Sequence, residues 1–298
     1  MYVLKNNCLT VCFTPLGGAI SSIKDKEETE YLWQGDAKYW SGQAPVLFPI
    51  CGSIREDRAV TESGRELHMP RHGIVRKKDF QIESVRDASI CFSISDNDEL
   101  YAQYPFHFKL YITYELKGNS ILVTYRIQNQ DKEVMPCAIG GHPGFNCPIR
   151  SGEEFQDYQI EFETEETCSV PTPITKTGLI DMEHRQMVLN GEKILLLEHA
   201  LFHRDAIIFD QLKSRKVRLC HRQNGKGIEL DIRDFPYLIL WSSANDGPFV
   251  AIEPWSGLST CSDEDDIAEH KRNIMLINPQ EFKELCFCIT VLKNKKGE

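Results

Sequence analysis

Apolar and polar residues alternate one by one along much of this chain. Every second residue is apolar from 108 to 116, and the same alternation returns from 121 to 127 after a Lys-Gly-Asn turn at 117–119. Successive side chains of a strand point to opposite faces, so a period of two is typical of a strand with one buried face. The two runs therefore predict a β-hairpin.

Similar strand patterns recur throughout the sequence, whereas helical periodicity is scarce. The further runs are residues 9–13, 90–94, 158–162, 217–220, 228–232, 237–241, 249–252 and 284–292. Only residues 263–270 predict a short helix, with Ser262 as its N-cap and acidic residues in its first turn. A chain with so many strands must bury its sheets against each other. We predict an all-β sandwich of large, curved antiparallel sheets with very little helix.

The domain organisation predicted from the sequence is simple. The chain has 298 residues, of which 41% are apolar, and this is enough for one sizeable core. All-β sandwiches of this size often form one unit, and no internal repeat or linker interrupts the pattern. We predict a single domain over residues 1–298 that ends in a frayed tail at 293–298.

Charge and hydropathy restrict the classes of partner. The formal net charge is −10 and the acidic residues are spread along the chain, which disfavours binding to nucleic acid. No run of 18 apolar residues occurs, and residues 1–5 lack the features of a signal peptide. We expect a cytoplasmic protein, a monomer or homodimer, that binds a small molecule and contacts no membrane.

The cysteines and histidines do not favour a metal site. The eleven cysteines are odd in number and scattered, without a Cys-x-x-Cys pair. Cys286 and Cys288 lie in a strand pattern, where a reduced cysteine behaves as a small apolar residue; a redox or metal role is the alternative. His199 and His203 would share a helix face, but their surroundings lack the glutamate of a zinc protease. We predict no metal and no cofactor.

Four short segments place ionisable residues among glycine and proline at the edges of predicted strands. They are residues 48–55, 70–76, 140–146 and 251–257. The third reads Gly-Gly-His-Pro-Gly-Phe-Asn and displays His142 directly after an apolar run. Glycine, proline and asparagine fix special backbone geometry, and imidazole has the side-chain pKa nearest neutrality. His142 is therefore a candidate for proton transfer, with a structural turn histidine as the alternative.

Glu253 is the candidate partner of His142. It follows the apolar run 249–252 and precedes a proline, and a carboxylate in such a buried place is costly unless it is paired or used. A glutamate that accepts backbone hydrogen bonds is the alternative. Trp255 lies two residues on, and an aromatic face beside an acid can bind a sugar ring and raise the pKa of the carboxyl by burial. A histidine and a glutamate on one ligand would provide an acid and a base.

Other candidates have strong structural alternatives. His72 lies among arginines, where a solvated basic face competes with a functional role. Arg55 precedes Glu56 and Asp57, so a local salt bridge competes with ligand binding. A Ser-His-Asp hydrolase is disfavoured because no Gly-x-Ser-x-Gly motif occurs, and no glycine-rich phosphate loop opens a helix.

The four segments, in this order and spacing, resemble the aldose 1-epimerase (galactose mutarotase) family, and especially its branch of short bacterial mutarotase-like proteins. The resemblance covers nearly the whole chain, from Thr-Pro-Leu-Gly-Gly-Ala-Ile at residues 14–20 to the final strand near Cys288. It implies an all-β supersandwich and the interconversion of the α and β anomers of an aldose.

The resemblance also implies roles for individual residues. His142 matches the general acid that protonates the ring oxygen, and Glu253 matches the general base that takes the proton of the anomeric hydroxyl. His72 and Arg55 match residues that contact the sugar. Asp205 is the best match for an aspartate on the sugar hydroxyls, with Asp210 close by.

One departure from the family motif leaves the substrate open. The segment His-Pro-Gly-Phe-Asn stands where galactose enzymes carry a His-Ser-Tyr-Phe-Asn type. A non-catalytic carbohydrate-binding protein is one alternative. A mutarotase for a hexose 6-phosphate is another, in which Arg71 or Arg76 joins Arg55 in holding the phosphate. A glycoside hydrolase would need two carboxylates, and only Glu253 occupies a convincing position.

Overall fold

The computed structural model describes residues 1–293, and its regular structure consists almost entirely of strands. In chain order they are β1 Tyr2–Lys5, β2 Leu9–Thr14, β3 Ala19–Asp25, β4 Val46–Leu47, β5 Arg58–Val60, β6 Glu66–His68, β7 Gln81–Arg86, β8 Ser89–Ser95, β9 Phe108–Lys117, β10 Ser120–Asn129 and β11 Met135–Cys137. They continue with β12 Gly140–Gly141, β13 Gly144–Asn146, β14 Tyr158–Ile174, β15 Leu179–Leu196, β16 Ile207–Phe209, β17 Lys216–His221, β18 Gly227–Asp231, β19 Tyr237–Trp241, β20 Phe249–Trp255, β21 Met275–Ile277 and β22 Phe282–Leu292. The short helix α1 Asp98–Tyr101 and the 3-10 turns Arg55–Asp57, Phe155–Asp157, His199–Phe202 and Ala268–His270 complete the described part.

Two antiparallel sheets dominate the architecture. The larger has nine strands in the order β15-β14-β17-β18-β22-β10-β9-β8-β7, and the second has six, with β16-β19-β20-β12-β4 in line and β13 paired with β20. A three-stranded sheet, β1-β2-β3, and two small two-stranded sheets accompany them. The predicted all-β fold with large antiparallel sheets is confirmed.

The predicted hairpin lies within the larger sheet, between β22 and β8. Strands β9 and β10 pair in continuous register from Lys117 and Ser120 outward. Alternate residues of both strands are buried, so one face of the sheet is covered while the other is half exposed. Buried apolar side chains from Leu4 to Val291 form one extended cluster. All ten predicted runs fall on strands, although one of them, residues 228–232, extends one residue beyond β18.

The predicted helix at residues 263–270 is wrong, because only Ala268–His270 forms a single 3-10 turn. The side chain of Glu264 accepts hydrogen bonds from the backbone N–H groups of Cys261 and Arg272. Ser262 accepts from the backbone N–H of Met182 instead of capping a helix. These side-chain bonds offer the backbone an alternative to helical hydrogen bonds. The acidic residues of this segment therefore stabilise a loop.

Three further observations concern the cysteines, the helices and the C-terminal residues. The eleven cysteines all lie within residues 1–293 and no disulfide joins them. No helix in this range is long and apolar enough to cross a bilayer. Most of the predicted tail at 293–298 lies outside the described residues.

Candidate active site

Glu253 lies in the middle of β20, a strand whose seven residues are all buried. The strand is central in the six-stranded sheet, with β19 on one side and β12 and β13 on the other. Only 1% of Glu253 is exposed, so its carboxylate requires polar partners. The indole Nε1 of Trp255 donates a hydrogen bond of 3.1 Å to its Oε2. The imidazole Nε2 of His142 lies 3.3 Å from the same oxygen.

Strand register explains why His142 meets Glu253. Gly140 in β12 pairs with Trp255, and Gly144 in β13 pairs with Ala251, both on β20. The same register places His142, between these two short strands, opposite Glu253. Its backbone N–H donates to the carbonyl of Pro45, 3.0 Å away, instead of to β20. His142 thus lies between two segments that pair with β20, and its ring reaches the carboxylate of Glu253.

His72 is the third ionisable residue at this point. Its φ of 69° is unusual for a residue other than glycine. The backbone N–H of Gly52 donates to its Nδ1 at 3.2 Å, so the remaining nitrogen, Nε2, carries the proton of the neutral ring. The ring contacts those of His142 and Trp255 edge to face, with centroids 5.5 and 5.6 Å apart. His72 therefore presents one fixed N–H donor.

These residues line a cavity of about 430 Å³. Its wall includes six of the seven predicted site residues: His142, Glu253, His72, Arg76, Asp205 and Trp255. This volume lies in the range of small-molecule sites. His142 and Glu253 are distant in sequence and meet here because β12 and β13 both pair with β20.

Arg55 is the exception, and its predicted place in the site is corrected. Its guanidinium lies 2.5 Å from the carboxylate of Asp266 and donates to the carbonyl oxygen of Glu264 at 3.1 Å. It lines a separate surface groove. Glu56 and Asp57, which follow Arg55, both have positive φ. The alternative of a local salt bridge with Glu56 or Asp57 is also wrong, because Arg55 pairs with Asp266, which is distant in sequence.

The structure distinguishes the two candidate aspartates. Asp205 lines the cavity, and its φ of 105° places it in a sparsely populated conformation. Asp210 is held by Arg185 through two hydrogen bonds of 2.9 and 2.6 Å. Asp205 is therefore the aspartate that is available to a ligand in the cavity.

Several lining residues are not among the site residues that the sequence analysis predicts, although Arg71 is considered there as a phosphate ligand. They are Trp40, Phe202, His203, Trp241, Ser243 and Arg71. Trp241 could have been found, because it ends the predicted strand at 237–241. Trp40 lies in an irregular loop between β3 and β4 and carries no periodic signal.

Burial shifts the proton affinities of the buried pair in opposite directions. It lowers the pKa of His142 to about 3, and the positive charges of Arg71 and Arg76 act in the same sense. It raises the pKa of Glu253 well above its ordinary value, against the opposing effects of Arg71 and the Trp255 hydrogen bond. Burial therefore favours the uncharged form of each group, a neutral imidazole and a protonated carboxyl. Burial also keeps His72 neutral, because it lowers the pKa of that ring well below its usual range.

Comparison with known proteins shows the family of this chain. The family described as aldose 1-epimerase matches residues 1–265. The chain belongs to the aldose 1-epimerase family. Membership of this family, which belongs to the isomerase class, supports an enzymatic role.

Relatives of this aldose 1-epimerase family member cover almost its whole length. The protein LacX (plasmid) of Lactococcus lactis subsp. lactis is 46% identical, over 97% of this chain and 98% of its own. A galactose mutarotase related enzyme from Lactobacillus acidophilus is 30% identical with a TM-score of 0.92, over 99% and 98% of the two chains. A galactose mutarotase-like protein from Lactobacillus casei is 27% identical with a TM-score of 0.89, over 98% and 100%.

Proposed function

We propose that this protein is a mutarotase that interconverts the α and β anomers of an aldose. The observation that carries the proposal is the 3.3 Å contact between His142 Nε2 and Glu253 Oε2 at the wall of a cavity of sugar-binding size. Two groups that exchange protons at this distance can serve both oxygens of one hemiacetal, because the ring oxygen and the anomeric hydroxyl are bonded to the same carbon.

The reaction requires one proton to be donated and one to be accepted. The imidazolium of His142 protonates the ring oxygen while the carboxylate of Glu253 takes the proton of the anomeric hydroxyl. The C1–O5 bond breaks and an aldehyde forms. Rotation about the C1–C2 bond and closure with reversed proton transfers give the other anomer. The active charged pair arises from the uncharged pair when the proton crosses from Oε2 to Nε2.

The remaining lining residues would orient the sugar. The fixed Nε2–H of His72 can donate to a sugar oxygen, and the carboxylate of Asp205 can accept from sugar hydroxyls. Trp255 is held by its hydrogen bond to Glu253 and offers an aromatic surface. Anomer exchange involves no net oxidation or reduction, so we propose a cofactor-independent isomerase.

A direct test is the equilibration of freshly dissolved sugars. We expect the protein to accelerate the change in optical rotation of α-glucose or α-galactose, and proton NMR to show the same acceleration at the anomeric signals. Heat-inactivated protein is the control for buffer catalysis. A protein that binds these sugars and their 6-phosphates without accelerating any of them would contradict the proposal and support the carbohydrate-binding alternative.

A hexose 6-phosphate is a second candidate substrate, favoured by two arginines. Arg71 and Arg76 both line the cavity. In the described residues neither guanidinium takes part in a salt bridge, although other arginines of the chain do. Burial and the nearby Arg71 lower the pKa of Arg76. A phosphate group would supply the missing counter-charge through charge-assisted hydrogen bonds.

Substitution of Arg76 tests this candidate. A hydrogen bond between charged groups contributes about 1.5–3 kcal/mol, so we expect Arg76→Gln to lower kcat/KM for glucose 6-phosphate or galactose 6-phosphate by about 10- to 100-fold. The value for the free sugar should change much less. Arg55→Gln is the matched control, because Arg55 lies outside the cavity. Equal losses on free and phosphorylated sugar would argue against a phosphate site.

A further inference from the structure

The ring of His142 belongs to a series of stacked aromatic rings. Trp40 stacks on His142 with centroids 4.9 Å apart and planes at 29°. Phe249 stacks on Trp40 at 5.4 Å and 27°, and Trp33 stacks on Phe249 at 4.9 Å and 28°. Trp241 closes the arrangement, with its plane nearly perpendicular to the rings of His142 and Trp40. His142 is thus packed by two indole rings, one stacked on it and one nearly perpendicular to it.

Trp40 is itself held in place by its loop. Its backbone N–H donates to the carbonyl of Asp36 at 2.9 Å. Its own carbonyl accepts a hydrogen bond of 2.8 Å from the indole Nε1 of Trp33. The same Trp33 ring stacks on Phe249 at the start of β20. The loop is therefore attached to the strand that carries Glu253, and the position of Trp40 is tied to both members of the acid–base pair.

Gly144 provides the space for the Trp40 ring. A Cβ atom added there would lie 2.8 Å from Cζ3 of Trp40 and 3.3 Å from Cβ of Trp33. Gly144 is an ordinary strand residue without a positive φ, so its backbone conformation does not require glycine. The close approach of Trp40 does. The glycine two residues after His142 therefore has a reason within this chain: it lets the indole reach the imidazole.

The contact has a chemical consequence. An aromatic face attracts a cation placed over it through the negative charge of its π-system. His142 must become an imidazolium to donate its proton, while burial and the charges of Arg71 and Arg76 oppose that form. The face of the Trp40 ring favours the imidazolium and so opposes these two effects. Rigid packing also keeps the imidazole opposite Glu253, and small losses of alignment are costly in proton transfer.

We propose that Trp40 is a positioning residue for the proton donor: its ring, admitted by Gly144, fixes His142 against Glu253 and stabilises the imidazolium. This inference rests on the proposed mutarotase function and deepens it. Trp40 acts through His142 and does not itself stack on the sugar.

The kinetic test compares Trp40→Leu, which removes the aromatic face, with Trp40→Phe, which keeps it. We expect Trp40→Leu to lower kcat about tenfold with KM changed less than about twofold, and Trp40→Phe to retain most of the rate. Tyr39→Leu is the matched control, since Tyr39 contacts Trp33 but does not line the cavity. A rise in KM with unchanged kcat would show that Trp40 binds the sugar, and unchanged kinetics would also overturn the proposal.

Gly144→Ala provides an independent route to the same effect. The added methyl group should displace the Trp40 ring and lower kcat to a similar extent. Because this effect passes through Trp40, Gly144→Ala should cost almost nothing further in a Trp40→Leu background, a non-additivity typical of residues in contact. Full additivity in the double variant would contradict the proposed route.

Proton NMR of the His142 ring separates this inference from the proposed function. Stacking on Trp40 should shift the ring proton signals through the indole ring current, and Trp40→Leu and Gly144→Ala should remove that shift while Trp40→Phe preserves part of it. If no sugar is accelerated but this pattern is seen, the mutarotase proposal fails and the positioning of His142 by Trp40 stands. Identical His142 signals in wild type and Trp40→Leu would refute the positioning, whatever the activity.

Discussion

Replacement of Glu253 by glutamine is expected to reduce the acceleration of anomer exchange by about 10²- to 10⁴-fold, the usual contribution of one positioned proton-transfer group. Glutamine has nearly the same shape and can still accept the hydrogen bond that Trp255 donates. It cannot accept the proton of the anomeric hydroxyl or pass a proton to His142. Sugar binding should persist, so the loss should fall on kcat. The measurement is polarimetry at saturating sugar.

Stability measurements show whether Glu253→Gln remains folded. The pKa of Glu253 is raised in the folded state, so at neutral pH ionisation of the carboxyl favours the unfolded chain. This destabilisation develops as pH rises above the unfolded pKa of about 4.3. Glutamine does not ionise, and we expect the variant to melt no lower than wild type at pH 7. A variant that melts normally and keeps wild-type activity would remove Glu253 from the mechanism.

Arg55→Gln is the matched control for this loss. Arg55 is a charged residue that the sequence predicts in the site, yet it lies on another groove and pairs with Asp266. Its ion pair is partly exposed, and such pairs contribute little to stability. We therefore expect its kcat and KM to stay within about twofold of wild type.

The strands and Glu253, one member of the proposed catalytic pair, were predictable for a common physical reason. The alternation over 108–116 indicates that one face of β9 is buried. The apolar run that ends at Glu253 indicates a buried strand, in which a charged carboxylate is costly. Both signals are local. The register that places His142 opposite Glu253 requires the pairing of β12 and β13 with β20, which is set over more than a hundred residues. Sequence reasoning reached the pair by chemistry and resemblance.

Other features depend on long-range contacts, which produce no periodic pattern in the sequence. Arg55 was misplaced because its partner Asp266 is distant in sequence. The sequence predicts only the first residues of β14 and no part of β15, because the register between these two strands shifts several times. Beyond residue 162 β14 is not paired with β17, and this open edge tolerates the prolines at 171 and 173. A shifted register disrupts the alternation that identifies a strand.

Replacement of His142 by asparagine is expected to lower the rate to a similar extent and, in addition, to change its dependence on pH. In wild type the pair holds one proton, and it loses activity when it takes up a second or releases the first. Because the pKa of His142 is lowered to about 3 and that of Glu253 is raised well above its ordinary value, we expect the one-proton state to persist at neutral pH. Titration of His142 should then produce no inflection near 6.5, the ordinary pKa of histidine.

In the asparagine variant only the base remains, so the sign of the dependence on pH reverses on the alkaline side. Residual activity should rise with pH as Glu253 ionises, with a midpoint above the ordinary glutamate value of about 4.3. In wild type the same ionisation removes the shared proton and lowers the rate. Profiles of kcat/KM against pH for the two proteins provide the measurement. Parallel profiles in the two proteins would show that His142 titrates independently of Glu253 and would separate the pair.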